Sequence, residues 1–221
     1  MNIYIDLDGT ILDVSERYYR LYYDVVTSFG GKPLPKEKYW ALKRRKIPEE
    51  KILKLSNVDN ISACIKKRLE KIESTTYLKY DLPLPSSLAT LILLKNKLNR
   101  LILVTLRSSK ENLYKQLKSL RILHLFDRIL TTNANKNQWL IKSELIKADS
   151  YFDKSSSVIV GDTEVDILAG KILGIKTVAV LTGIRSKDIL LANKPDYIIN
   201  SIKDLPNLIH KFSPEEMEVI K

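Results

Sequence analysis

Asp6 and Asp8 stand one residue apart at the end of the short apolar run Ile3-Tyr4-Ile5, and Gly9-Thr10 follows at once. Along a strand, residues i and i+2 point to the same side, so both carboxylates can face one site. Converging carboxylates repel each other unless a cation or a shared proton compensates. A hard divalent ion such as Mg²⁺ suits them, with one oxygen left free to attack an electrophile. Asp-Gly is also a common turn, and Asp8 could simply shape it.

Two other segments end in the same kind of chemistry. Leu101-Ile102-Leu103-Val104 runs into Thr105, Leu106, Arg107, Ser108 and Ser109. Ser157-Val158-Ile159-Val160 runs into Gly161-Asp162-Thr163-Glu164-Val165-Asp166. Each residue has a structural alternative. Thr105 could be a strand residue without a ligand, Ser108, Ser109 or Asp162 a helix cap, and Arg107 a solvated charge. Together, three strand ends would supply two aspartates, a hydroxyl beside a guanidinium, and two more acids. That is a Mg²⁺ site with phosphate-binding groups next to it.

These groups meet only if their strands lie side by side. Short β-branched runs at 2–7, 101–105, 128–131, 157–161, 177–181 and 197–199 read as strands. Helical patterns at 86–98, 110–120, 166–173 and 202–211 separate most of them. Strand followed by helix, repeated, predicts an α/β fold, a doubly wound parallel sheet covered by helices on both faces. Ligands bind such sheets outside the carboxyl ends of the strands, where the candidate residues fall.

The stretch from Val14 to Pro85 breaks the rhythm. It reads as several helices without a buried strand, the first carrying Tyr18, Tyr19, Leu21, Tyr22, Val25 and Val26 as an apolar stripe. Residues 14–85 are therefore expected to form a helical insertion, with 1–13 and 86–221 as the core.

The 221 residues include 37 Lys and Arg against 26 Asp and Glu, a formal net charge of +11. Such an excess fits nucleic-acid binding, or lysines spread over solvated helix faces, and it favours small phosphorylated substrates. Its densest cluster, Lys43-Arg44-Arg45-Lys46, lies beside Tyr39 and Trp40. Nothing reads as a membrane span or a secretory signal, and the single cysteine, Cys64, excludes an internal disulfide framework; a cytoplasmic protein without a membrane partner is expected. His124 and His210 have no partner at ligand spacing, and Ser213-Pro214-Glu215-Glu216 reads as a helix start.

The chain resembles the haloacid dehalogenase superfamily over essentially its whole length. Asp6-Leu7-Asp8-Gly9-Thr10 matches the family's first motif, Thr105 the second, and Gly161-Asp162-Thr163-Glu164-Val165-Asp166 the acidic fourth. The helical insertion is similar to the family's C1 cap, as in phosphoglycolate phosphatases. The resemblance implies a Mg²⁺-dependent phosphatase of a small phosphomonoester working through an aspartyl-phosphate. Asp6 would be the nucleophile and Asp8 the general acid and base. Mg²⁺ would be held by the Asp6 side chain, the Asp8 carbonyl and Asp162, with Asp166 behind them. Thr105 and the third-motif lysine would bind phosphate along with Gly9, Thr10, Leu106 and Arg107. That lysine is read as Lys142, with Lys136 as the rival. Arg17, Arg20, Lys43 to Lys46, Tyr39 and Trp40 are candidates to face the substrate from the cap. A phosphosugar mutase shares these motifs. A protein that chiefly binds nucleic acid or another macromolecule would not need them.

Overall fold

The structure is a computed structural model that describes residues 1–132 and 137–212; Lys136 and the 213–216 segment lie outside them. The chain begins with strand β1 (Asn2–Ile5) and the two-residue β2 (Leu12–Asp13). Helices α1 (Ser15–Ser28), α2 (Lys36–Arg44), α3 (Glu49–Leu55), α4 (Ile61–Lys71) and α5 (Thr75–Leu78) follow, then β3 (Leu82–Pro83). After that, helix and strand alternate: α6 (Ser87–Asn96), β4 (Arg100–Thr105), α7 (Lys110–Ser119), β5 (Arg128–Thr131), α8 (Gln138–Lys147), β6 (Ser157–Gly161), α9 (Glu164–Leu173), β7 (Lys176–Val180), α10 (Lys187–Ala192), β8 (Tyr197–Ile199) and α11 (Leu205–His210).

Six strands form one sheet in the order β5-β4-β1-β6-β7-β8, every neighbouring pair parallel. The strand order reverses at β1, the position where open α/β sheets leave a crevice. Ile5 stands level with Leu103 on one side and Val160 on the other, so the segments after β1, β4 and β6 emerge together.

Alternation along the strands builds both faces. Ile3, Ile5, Leu101, Leu103, Val158 and Val160 pack with Leu91 and Leu94 of α6, Leu113 and Leu117 of α7, and Leu205 and Ile209 of α11. Tyr4, Ile102, Val104 and Ile159 pack on the opposite side with Ile146 of α8 and Ala169 of α9. The sheet is buried on both sides, which is why its strands read as continuous apolar runs.

The structure departs from the sequence expectation in several places, among them α10, a short helix between two expected strands. β1 stops at Ile5 instead of Leu7 because the chain then turns, Leu7 O accepting from Ile11 N and Leu12 N at 3.0 Å. The last expected helix divides into a 3₁₀ turn (Ile202–Asp204) and α11, which carries Pro206 in its first turn, where a missing N–H costs nothing. Between 14 and 85 there is one strand, β3, pairing antiparallel with β2 (Leu12 with Pro83, Asp13 with Leu82); two residues are too short for a periodic signal. The helices α1–α5 surround an apolar cluster of their own, including Leu21, Tyr22, Val26, Tyr39, Ile52, Leu53 and Cys64. Among the described residues no helix is long and apolar enough to cross a membrane.

Helix α9 carries Asp166, a candidate site acid, so its seating matters. Thr163 caps it, and Gly170 lets it approach the sheet: a Cβ there would lie 2.4 Å from Thr177 Cγ2 and 2.5 Å from Ile159 Cγ2. Gly170→Ala is therefore expected to lower stability in urea denaturation by about 1–3 kcal/mol despite alanine's better helix propensity.

Candidate active site

The segments after β1, β4 and β6 enclose, with the helical insertion, a cavity of about 340 Å³. Asp6, Asp8, Thr105, Leu106, Arg107, Lys142 and Asp162 line it. The fold thus brings together residues that lie far apart in the chain.

Asp6 continues β1, its N–H donating to Val160 O at 2.9 Å. Lys142 reaches it from the middle of α8, with Nζ 2.6 Å from Asp6 Oδ1 and 2.5 Å from Asp166 Oδ1. The other oxygen of Asp166 accepts from Thr163 N (3.1 Å) and Thr163 Oγ1 (2.8 Å), closing a capping box on α9. Both oxygens of Asp166 are thereby engaged by protein groups, which places it behind Asp6 rather than facing the cavity.

Asp162 is 1% exposed. Its Oδ2 accepts from Ile184 N at 2.7 Å, while its buried Oδ1 accepts no hydrogen bond among the described residues. Gly9 (φ +79°) and Gly183 make room for it: a Cβ at either would lie 2.3 Å or 1.8 Å from Asp162 Oδ2. Thr10 is fully buried, and its Oγ1 likewise has no hydrogen-bond partner among the described residues. Thr105 is buried at the end of β4 and lines the cavity.

Electrostatically, Asp6, Asp162 and Asp166 together hold more negative charge than Lys142 alone balances. Burial pushes the Asp6 carboxyl up to about 7 against the pull of Lys142, with Asp166 and Asp8 pushing the same way. Burial, then Asp6 and Asp166, lift Asp162 well above the carboxylate range. Burial would lower Lys142, but Asp166 and Asp6 override it and hold its ammonium firmly charged. Crowded acids and an oxygen without a partner fit a divalent cation, and an all-oxygen donor set suits Mg²⁺. Among the described residues no three acid, histidine or cysteine side chains are grouped to hold a metal by themselves. A cation here would draw on backbone carbonyl, water and substrate oxygens, as Mg²⁺ commonly does.

Asp8 has a different environment. Arg17 Nη2 donates to its Oδ2 at 2.7 Å, and Arg107 binds both oxygens, through Nε at 3.2 Å and through Nη2. Burial alone would raise this carboxyl; Arg107 and Arg17 override it and hold it well below the usual range. Both guanidinium groups also bind Asp81, at 3.0 Å each, and Gln116 Nε2 donates to Asp81 at 2.8 Å. Arg107 is thus no solvated charge; it joins Asp8 to the strand that leaves the insertion. Asp81, Gln116 and Glu73 were not legible as site residues, because each acts on a residue remote in sequence and belongs to no motif. Glu73 accepts from Ser108 N (3.0 Å) and Ser109 N (2.7 Å), tying the insertion to the start of α7, which Ser109 caps.

The candidate insertion residues separate. Arg44 donates to Gly183 O (2.8 Å) and Leu181 O (3.1 Å), and Lys46 pairs with Glu164 at 2.9 Å. Arg45 is exposed, and Arg20 pairs with Glu16 away from the cavity. Tyr39 is buried against Tyr22, their rings 4.2 Å apart, and Trp40 packs edge-on against Tyr18. Only Lys43 of the basic cluster lines the cavity.

A family model described as haloacid dehalogenase-like hydrolase matches residues 3–180. Among curated proteins, the pyrophosphatase PpaX of Halalkalibacterium halodurans is 32% identical over 102 residues, which cover 45% of this chain and 47% of that protein. The chain therefore matches about half the length of that relative. Among solved structures, a haloacid dehalogenase-like family protein from Streptococcus pneumoniae superposes with a TM-score of 0.77 at 21% identity, covering 94% of this chain and 97% of the other. A predicted phosphoglycolate phosphatase from Haemophilus somnus gives 0.74 at 17% identity, covering 94% and 96%. At these identities the structures speak for the fold.

The Asp81 network yields a stability test. Asp81→Ala leaves two buried guanidinium groups with Asp8 as their one carboxylate among the described residues, and breaking a buried ion pair from one side costs about 3–5 kcal/mol. Urea denaturation should show a loss of that order.

Proposed function

Because the chain belongs to the haloacid dehalogenase-like hydrolase family, we propose that it is a Mg²⁺-dependent phosphatase that hydrolyses a small phosphomonoester by way of a phosphoryl group carried on Asp6. The observation that carries this reading is the Asp6 carboxylate at the cavity wall, one oxygen held 2.6 Å from Lys142 Nζ, with Asp162 Oδ1 on the same cavity lacking a hydrogen-bond partner among the described residues. The Asp6 side chain, the Asp8 backbone carbonyl and Asp162 would hold Mg²⁺, with Asp166 behind them. When bound, the ion supplies positive charge that lets a carboxylate approach a phosphate dianion.

The remaining work falls to the chain's own groups. Lys142 fixes the orientation of Asp6 and, with Thr105 and the N–H groups following Asp6, stabilises the phosphoryl oxygens as charge shifts during transfer. Gly9 and Thr10 set the turn that presents those N–H groups. Asp8 donates a proton to the departing alcohol and later takes one from the water that attacks the phosphorylated Asp6. Held as an anion by Arg107 and Arg17, it stands here in the form that serves the second step. The insertion closes the cavity over the substrate and excludes bulk water.

Phosphate release from an aryl phosphate tests the reading. Wild type is expected to turn over with Mg²⁺ and stop with chelator, Asp6→Asn to fall to background, and Lys142→Ala to lose about 10²–10³-fold in kcat. Activity retained by Asp6→Asn would remove it as nucleophile.

A further inference from the structure

A second cavity of about 250 Å³ lies inside the insertion and shares Tyr18, Lys43 and Ile72 with the walls of the catalytic one. Ile65 adds to its apolar side, and Glu49 and Arg68 complete its polar side. Lys43 Nζ sits 2.9 Å from Glu49 Oε2, and Arg68 pairs with the other oxygen of the same carboxylate. The three side chains are 17%, 17% and 9% exposed. One partly buried carboxylate is therefore shared by two cations, and no other acid pairs with them among the described residues, so a net positive charge is left between the two cavities. Arg68 Nη2 donates to Tyr39 OH at 3.2 Å, while its Nε, also buried, has no hydrogen-bond partner among the described residues. Lys43 has three N–H donors, and Glu49 engages one of them. A buried cation in excess of its counter-ions is costly unless an anion completes the set. Burial, with Arg68 and Arg185 adding repulsion, outweighs Glu49 and lowers the Lys43 ammonium, as expected of an under-compensated cation.

Building on the phosphatase reading, we propose that this chamber receives the leaving group of the substrate, and that the substrate carries a second anionic group on an apolar stem. The phosphoryl end would sit against Asp6 and Lys142. The stem would run past Tyr18 and Ile72, and its anionic end would bind Lys43, within reach of Arg68. This selects against small neutral alkyl phosphates and against phosphate esters whose far end is an ammonium.

Binding of phosphonates, which are not hydrolysed, reads the chamber separately from turnover. Calorimetry with Mg²⁺ would compare 3-phosphonopropionate and 6-phosphonohexanoate with propyl- and hexylphosphonate. At one or both chain lengths the carboxylate is expected to tighten binding to wild type at least tenfold. Lys43→Met should collapse that ratio to within threefold, and Lys43→Arg should keep most of it. Lys43→Met leaves a neutral Glu49–Arg68 pair, so its Tm is expected to equal or exceed that of wild type. Equal binding of the carboxylate and alkyl compounds by wild type would overturn the proposal whether or not the variants fold, as would a ratio unchanged in folded Lys43→Met. Failure of the phosphatase reading would show itself differently, as absence of Mg²⁺-dependent phosphate release.

Discussion

Asp6 at the cavity wall and the buried Asp162 and Asp166 crowd around a single ammonium, that of Lys142, and the arrangement of the sheet's carboxyl end follows from keeping them there. Space for them comes from glycine. A Cβ at Gly161 would lie 2.0 Å from Asp166 Cγ, and one at Gly183 within 1.8 Å of Asp162 Oδ2. Order comes from hydrogen bonds that do double duty. The carboxylate of Asp166 that steadies Lys142 also closes the cap of α9, so the site and the start of that helix are fixed by one side chain. A crowded, desolvated set of acids is unfavourable for folding and favourable for gathering a cation and a phosphate, a conflict often found at functional sites.

The insertion meets the core mostly through polar contacts. Arg44 lies on two carbonyl oxygens, Lys46 on Glu164, and Glu73 on the N–H groups of Ser108 and Ser109 just before α7. Apolar packing across the junction is contributed by Tyr18 and Trp40 against the core cluster. Charged and hydrogen-bonded groups of this kind find partners in water when surfaces part, so the junction resists opening less than a core of similar extent would. The Arg17–Asp8–Arg107–Asp81 network is the exception. Apart from Asp8, which faces the cavity, it is buried, and it links the first helix of the insertion, the β4 loop and the return strand.

Much of the fold was legible because the sheet is covered on both faces. Continuous runs such as Leu101 to Val104 and Val158 to Val160 announce such strands, and Gly and Pro mark their ends. The Asp6, Asp8, Thr105 and Asp162 positions were legible because each ends or follows a strand, and a parallel sheet aligns those ends. Lys142 was harder, since it projects from the middle of α8 and only the three-dimensional path brings it to Asp6. Asp81 and Gln116 carried no signal at all. A buried ion pair between residues 64 or more positions apart, such as Arg17 and Asp81, leaves no periodicity to read. The basic cluster at 43–46 shows the limit of composition: its neighbours in sequence end up on a carbonyl pair, in solvent, on a core acid, and at the cavity wall.

The β2–β3 ribbon has an implication for how such a molecule changes over time. Leu12 pairs with Pro83 and Asp13 with Leu82, so the chain leaves the core and re-enters it at the same point. From the sheet's side, everything between those strands is a hairpin whose tip happens to be a helical bundle with its own apolar cluster. Insertions are tolerated best where the two ends are already adjacent, because closing the longer loop adds little entropic cost. The bundle can therefore be lengthened, trimmed or replaced while the sheet and the residues at its strand ends stay in place.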